Sequence, residues 1–187
     1  MTERPRIEPA TADDVDHIVD VVQSAYRGDR SRAGWTTEAD LIEGQRADAT
    51  MVRHALDAPD TTVLLAFDGA DPAHLLGCCE VRVHAGEDGA AHFGMFAVSP
   101  ARQAGGLGSA LLDAAERHAG SAGATALEMW VIEQRHELIA WYRRRGYEPT
   151  GEHHPFPYGD ERFGLPRRDD LRFVVLSKPL PPGAGRS

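Results

Sequence analysis

Cysteine is almost missing from this chain, with only Cys78 and Cys79 among 187 residues. Neighbours on a strand point to opposite faces, so these two suit each other poorly as a bonded pair, and a disulfide scaffold is excluded. A reducing, cytoplasmic setting is the expectation. Lysine is scarcer still: Lys178 stands alone among 20 basic residues, a bias read as genome composition and not as mechanism. No run of 18 apolar residues occurs, and Met1-Thr2-Glu3-Arg4-Pro5-Arg6 offers no apolar stretch, so neither a membrane span nor an export signal is supported. Positive charge is in deficit, 20 basic against 29 acidic side chains for a net of −9, which argues against nucleic acid or an anionic membrane as partner. The 19 glycines and 12 prolines follow no period, and 42% apolar residues rule out wholesale disorder. What remains is a soluble globule, expected as one domain over 1–180 with a frayed tail over 181–187.

Local patterns place the elements. Ile7 opens a short strand, and Thr11 to Asp14 start a helix carrying Val15, Ile18, Val19, Val22 and Tyr26 on one face. Thr37-Glu38-Ala39-Asp40 reads as the cap of a second helical stretch that runs, with interruptions, to Leu56. Thr61–Phe67 and Leu75–His84 form a hairpin, and the apolar run His92–Val98 fits a central strand. Further on, Ala124–Val131 is a strand, Leu138, Trp141, Tyr142 and Arg145 share a face of a short helix ended by Gly146, and Tyr147–His154 and Leu171–Leu176 are the last strands. The Pro- and Gly-rich connection Pro155–Arg168 is long enough to be functional or mobile.

The chemistry begins after the central strand. Gln103-Ala104-Gly105-Gly106-Leu107-Gly108 leads into a helix with Leu107, Ala110, Leu111, Ala114, Ala115 and His118 at helical spacing. A glycine-rich turn between a buried strand and a helix presents backbone N–H groups at the positive end of the helix dipole, a ready site for phosphate. Gly108-Ser109 lacks the lysine of a P-loop, and Leu111 stands where a dinucleotide fingerprint needs its third glycine.

Val98-Ser99-Pro100-Ala101-Arg102-Gln103-Ala104-Gly105-Gly106-Leu107-Gly108-Ser109-Ala110-Leu111-Leu112 resembles the acetyl-CoA signature of the GNAT superfamily of N-acetyltransferases, Gln/Arg-x-x-Gly-x-Gly/Ala, with Gln103, Gly106 and Gly108 at its three places. Ile7 to Tyr26 looks like the family's first strand and helix. Leu138-Ile139-Ala140-Trp141-Tyr142-Arg143-Arg144-Arg145-Gly146-Tyr147 resembles its second motif, a helix ending in Tyr before Gly and an aromatic. Together they cover most of residues 5–178.

The resemblance implies an α/β fold: a mixed, mostly antiparallel sheet splayed between two parallel strands and flanked by helices. It implies acetyl-CoA as cosubstrate, no metal, and transfer of acetyl to a primary amine by direct attack in a ternary complex. The pantetheine arm would pair with the backbone of Phe96, Ala97 and Val98. The pyrophosphate would meet N–H groups of Gln103, Ala104, Gly105, Gly106, Leu107, Gly108 and Ser109, with glycine at 105, 106 and 108 allowing close approach. Arg102, Arg135 or Arg143 could pair with phosphate; Arg135 stands where many members carry Asn. Tyr142 would meet the departing thiolate. For the base, His92 falls where histone-modifying members place a Glu, and Glu80 and Glu128 are rivals; the choice stays open. A coenzyme A-binding regulatory module without turnover, or transfer of a longer acyl group, are the alternatives. The partner is a small-molecule or peptide amine, and a homodimer stays open.

Residues 1–60 hold 7 basic and 13 acidic side chains, net −6. In the family this segment walls the acceptor side, so either Glu38, Asp40 and Glu43 face a cationic amine or they are the solvated face of a helix. His153-His154, with His118 and His136 apart from them, have no metal-ligand spacing.

Overall fold

The computed structural model describes residues 5–27, 31–35, 37–68, 74–83, 89–103 and 105–181. The expected tail therefore falls, beyond Pro181, outside the described residues, as does Ala104 of the glycine-rich turn. The elements in chain order are β1 (Arg6–Pro9), α1 (Val15–Tyr26), β2 (Ile42–Glu43), α2 (Ala49–Asp57), β3 (Thr61–Phe67), β4 (Leu75–Val83), β5 (Ala90–Val98), α3 (Leu107–Ser121), β6 (Ala126–Ile132), α4 (His136–Arg143), β7 (Glu148–Pro155), β8 (Leu165–Pro166) and β9 (Arg172–Pro179).

Seven strands form one sheet in the order β1-β3-β4-β5-β6-β9-β7, and β2 with β8 make a small separate ladder. Every pairing is antiparallel except β5 with β6. That parallel pairing covers only Ala90–His92 against Ala126–Glu128, after which the two strands part. The cause is local to β5. Its register with β4 passes from Cys78↔Ala97 to Glu80↔Gly94, so Met95 and Phe96 oppose a single residue, and Met95 takes φ +43. A bulge of this kind bends the strand that carries it, here away from β6. The sheet is thus mixed, mostly antiparallel and splayed at its centre, as the resemblance implied.

Alternation along β3, β4 and β5 sends side chains to two cores. On one face α1 and α2 bury Val15, Ile18, Val22 and Val52 against Val63, Leu65, Cys78 and Ala97. On the other, α3 and α4 bury Leu111, Leu112, Ala115, Leu138 and Tyr142 against Leu64, Cys79, Phe93 and Leu127. Cys78 and Cys79 lie in different cores, both buried and both free.

One element differs from the sequence reading. Residues 37–47 are not helical: Leu41 and Ile42 donate to the Glu38 carbonyl in a turn, Gly44 takes φ +81, and the helix begins only at Ala49. Its cap is Asp48, whose carboxylate accepts the Met51 N–H at 2.8 Å. A Thr-Glu-x-Asp start is overridden here by a tertiary contact, because the Glu38 carboxylate is drawn into the protein, 6% exposed. It accepts from Arg27 at 2.5 Å and from Arg135 at 2.8 Å, and Arg46 stands 3.9 Å away. These contacts tie the end of α1 and the β6–α4 connection to the segment before α2. The connection 155–168 is likewise ordered: β8 pairs with β2, and Phe156 is buried with Ile42, Ile132 and Leu171.

Burial of the Glu38 carboxyl opposes ionisation, but Arg135, Arg46 and Arg27 overcome it and hold its pKa at about 2, below the ordinary 4.5. A folded-state value below the unfolded one means stability that is complete above about pH 4.5 and lost as the pH falls toward 2. The shift corresponds to about 3 kcal/mol. Denaturant titrations from pH 7 to 2 should show this loss in the parent, and Glu38→Gln, already less stable at pH 7, should lose up to about 3 kcal/mol less across that window. An equally steep profile in the variant would remove Glu38 as the source.

Candidate active site

Two adjoining hollows follow from the splay, and Tyr26 and Phe96 line both. The first, about 230 Å³, lies over the glycine-rich turn and is lined also by Trp35, Val98, Gln103, Gly106, Gly108, Ser109, Trp141 and Arg145. Gly106 caps α3 in a left-handed conformation, φ +79, with no side chain closing the helix end and nothing within 4 Å of where a Cβ would stand. The first-turn N–H groups of a helix have no intrahelical partner, so this end offers donors and a positive dipole. Gly105 is similarly open, with only the Arg102 carbonyl at 3.5 Å. Gly108 differs: a Cβ there would meet the Phe96 ring at 3.3 Å and Trp141 at 3.5 Å, so its small size serves the packing of α3 on β5. Leu107 is buried and can contribute only its backbone.

The edge of β5 exposed by the splay is provisionally closed by side chains. Tyr26 Oη donates a hydrogen bond to the Phe96 carbonyl, and Gln103 Nε2 donates to the Val98 carbonyl at 3.0 Å. Burial raises the Tyr26 pKa, keeping it a donor. Ala97 points to the opposite face, into the core under α1.

Of the arginines considered for phosphate, Arg102 pairs with Asp68 and Arg143 with Glu148 at 3.3 Å. Arg135 pairs with Glu38 beside the second hollow and does not line the glycine turn. The arginine that does line it is Arg145. Its guanidinium lies 3.6 Å above the Trp141 ring and donates to Ser109 Oγ at 2.7 Å. The sequence placed Arg145 on the face of Tyr142 but gave no sign that the face points to this turn.

The second hollow, about 430 Å³, is the cleft between the parted strands. Tyr142 reaches it from α4, 3% exposed, among Phe96, Trp141 and Tyr147. Its hydroxyl makes no hydrogen bond to the described residues. Burial, with Tyr26 close by, raises its pKa well above the ordinary value, so it is held in the protonated, donating form. Glu80 and His92 line the same cleft, from β4 and β5. Glu80 is held by Arg82 Nη2 at 3.0 Å, and burial raises its pKa against the opposing pull of Arg82. His92 packs edge-on to Trp130, ring centres 5.7 Å apart. Glu128, opposite His92 in the register, does not line the cleft.

Asp40 pairs with Arg32 at 3.0 Å and Glu43 with Arg167. With Glu38 among three arginines, the acidic segment presents no uncompensated carboxylate to the cleft. Burial pushes the Cys78 thiol up to about 12 and Cys79 well above its ordinary value, so neither is a ready nucleophile. Among the described residues no group of His, Cys, Asp and Glu is gathered closely enough to hold a metal ion, and no helix is long and apolar enough to cross a membrane. A wider hollow of about 640 Å³ behind Arg27 contains neither the glycine turn nor Tyr142, Glu80 or His92.

The fold has counterparts among solved structures. The fold is similar to a phosphinothricin acetyltransferase from Sinorhizobium meliloti solved with AcCoA, at 16% identity and a TM-score of 0.69 over 100% of this chain and 93% of that one. It is similar to the ribosomal-protein-S18-alanine N-acetyltransferase of Escherichia coli, 14% identical, TM-score 0.68, over 98% and 99% of the two chains. A nourseothricin acetyltransferase shares 24% identity with a TM-score of 0.56 over 66% and 67%. No curated protein sequence matches. The model of the acetyltransferase (GNAT) family matches residues 20–147, well over half of the sequence. The chain belongs to the GNAT acetyltransferase family.

Proposed function

We propose that this protein transfers an acetyl group from acetyl-CoA to a primary amine by direct attack in a ternary complex. The observation that carries the reading is Tyr142: a buried, protonated hydroxyl without a partner among the described residues, at the cleft that adjoins an uncapped, glycine-lined helix end. The residues fit acetyl-CoA. Gly105 and Gly106 leave room for a pyrophosphate at the N–H groups of α3, Arg145 supplies positive charge beside them, and the backbone of Phe96–Val98 edges the cleft. The cosubstrate supplies an activated carbonyl and a thiolate leaving group.

The chain's own residues manage two protons. The amine must shed one before or during attack, because an alkylammonium has a pKa of about 10.4 and no free lone pair. Glu80 is the proton acceptor we favour, directly or through a water: it lines the cleft, and burial raises its pKa, bringing it nearer the working pH than an exposed carboxylate. As nitrogen bonds to the acetyl carbon and the carbon–sulfur bond breaks, Tyr142 gives its proton to the sulfur, and the second proton of the nitrogen, released as the amide forms, restores the Tyr142 hydroxyl. Arg135, a neighbour of Tyr26 and Glu38, serves in this reading to position the cleft wall.

Three measurements test it. Acetyl-CoA should raise the Tm of the protein. Gly106→Asp should abolish that rise, whereas Gly106→Ala, which carries the same backbone strain without the charge, should retain most of it; a rise undiminished in Gly106→Asp would place the site elsewhere. Tyr142→Phe should lower kcat by roughly 10²- to 10⁴-fold with little change in acetyl-CoA affinity, and an unchanged kcat with chemistry rate-limiting would discard Tyr142 as the acid. For the base, kcat/KM should fall as the pH drops through a limb above the ordinary carboxylate range, and Glu80→Gln should erase that limb. If His92→Gln erases it and Glu80→Gln does not, the proton goes to His92.

A further inference from the structure

The charge of the cleft is opposite to that of the molecule. The chain carries net −9, yet the cleft is lined by Arg27, Arg46, Arg82 and Arg135 against Glu38 and Glu80, net +2. One of these arginines has accessible donors to spare. The Arg46 guanidinium, one third exposed, makes no hydrogen bond to the described residues: its nearest carboxylate oxygen is Glu38 Oε2 at 3.9 Å, beyond hydrogen-bonding reach.

Arg46 is also placed with purpose. Its backbone N–H is held by Gln23 Oε1 at 2.9 Å, and its guanidinium lies over the Tyr26 ring, 5.5 Å from the centre. The hydroxyl of that ring bonds the Phe96 carbonyl, so the positive charge sits one aromatic ring from the edge of β5. Another part of the same cleft is apolar, formed by Met129, Trp130, Phe156, Phe163 and Phe173. The hollow, about 430 Å³, is of the size that takes small molecules, roughly 300–1,000 Å³.

We propose that the acceptor is a small primary amine bearing a compact oxyanion and an apolar body, with Arg46 holding the oxyanion and the aromatic wall holding the body. This rests on the acetyl-transfer reading above and narrows its acceptor. A purely cationic amine would meet net like charge here, whereas a carboxylate or phosphonate accepts two guanidinium donors in matching geometry.

The test follows thiol release from acetyl-CoA with four acceptors on one carbon skeleton: L-leucine, its aminophosphonate analogue, L-leucinamide and 3-methylbutylamine. At least one of the two oxyanion acceptors should exceed the amide and the plain amine in kcat/KM by about ten-fold or more, and the better of the two tells carboxylate from phosphonate. In Arg46→Gln the oxyanion-to-amide ratio should fall about ten-fold, through KM; equal loss for both acceptors would make Arg46 structural only and overturn its assignment. Preference for leucinamide or 3-methylbutylamine overturns the inference and leaves acetyl transfer standing. Rejection of all four overturns the acceptor assignment, and absence of the acetyl-CoA Tm shift as well removes the transfer reading on which it rests.

Discussion

The separation of β5 from β6 after three paired positions is the constraint from which the rest of the site follows. A parallel pair carried to full length would satisfy its own edge groups and bury both strands, leaving no room between them. The bulge at Met95 and Phe96 prevents that. It leaves carbonyls on an open edge inside the protein, and such groups need partners. Tyr26 and Gln103 provide them from α1 and from the glycine-rich turn. The same bend aims Phe96 at Trp141 and Tyr142, so α4 and the cleft are joined by a run of touching aromatic rings. Backbone irregularity, side-chain capping and the placement of Tyr142 are thus consequences of one local event.

Electrostatics divide in a way the net charge conceals. Surface acids such as Asp40 and Glu43 pair with Arg32 and Arg167, outside the cleft. In the cleft the balance reverses, with four arginines around two glutamates. Buried ion pairs are weak contributors to stability against apolar replacements, but they fix position strongly because an unpaired member is penalised heavily. Glu38 does this for three guanidinium groups drawn from the residue after α1, the segment before α2 and the β6–α4 connection, places far apart in sequence. The site is consequently built on a rigid charged frame, with Arg46 as its most accessible member.

Helix propensity, strand alternation and turn chemistry acted where they are strongest. The periodic run from Val15 to Tyr26, the Thr61–Phe67 and Leu75–Val83 hairpin, and the strand–turn–helix around Gly106 all stand close to where the sequence puts them. The failure is instructive: residues 37–47 carry a good helix start, but the stretch contains a glycine in a left-handed conformation and a carboxylate with better partners elsewhere. Local preference, worth tenths of a kcal/mol per residue, gives way to a buried ion pair.

The sequence by itself determined the family, the order of the elements, the opposed faces of Cys78 and Cys79, and the glycine turn, because each is written in nearest-neighbour chemistry: a period, a cap, a residue without a Cβ. It also singled out Tyr142, Glu80 and His92, though only as members of strands and a helix. Tertiary structure alone decided that these three share a cleft, that Arg145 rather than Arg135 stands over the glycine turn, and that Gly108 makes room for Phe96 and Trp141. It alone turned an acidic segment into the partner of arginines up to 124 residues away. The reason is physical: a charge count along the chain has no distances in it, and the sign of a site is set by which side chains the fold brings within a few ångströms of one another.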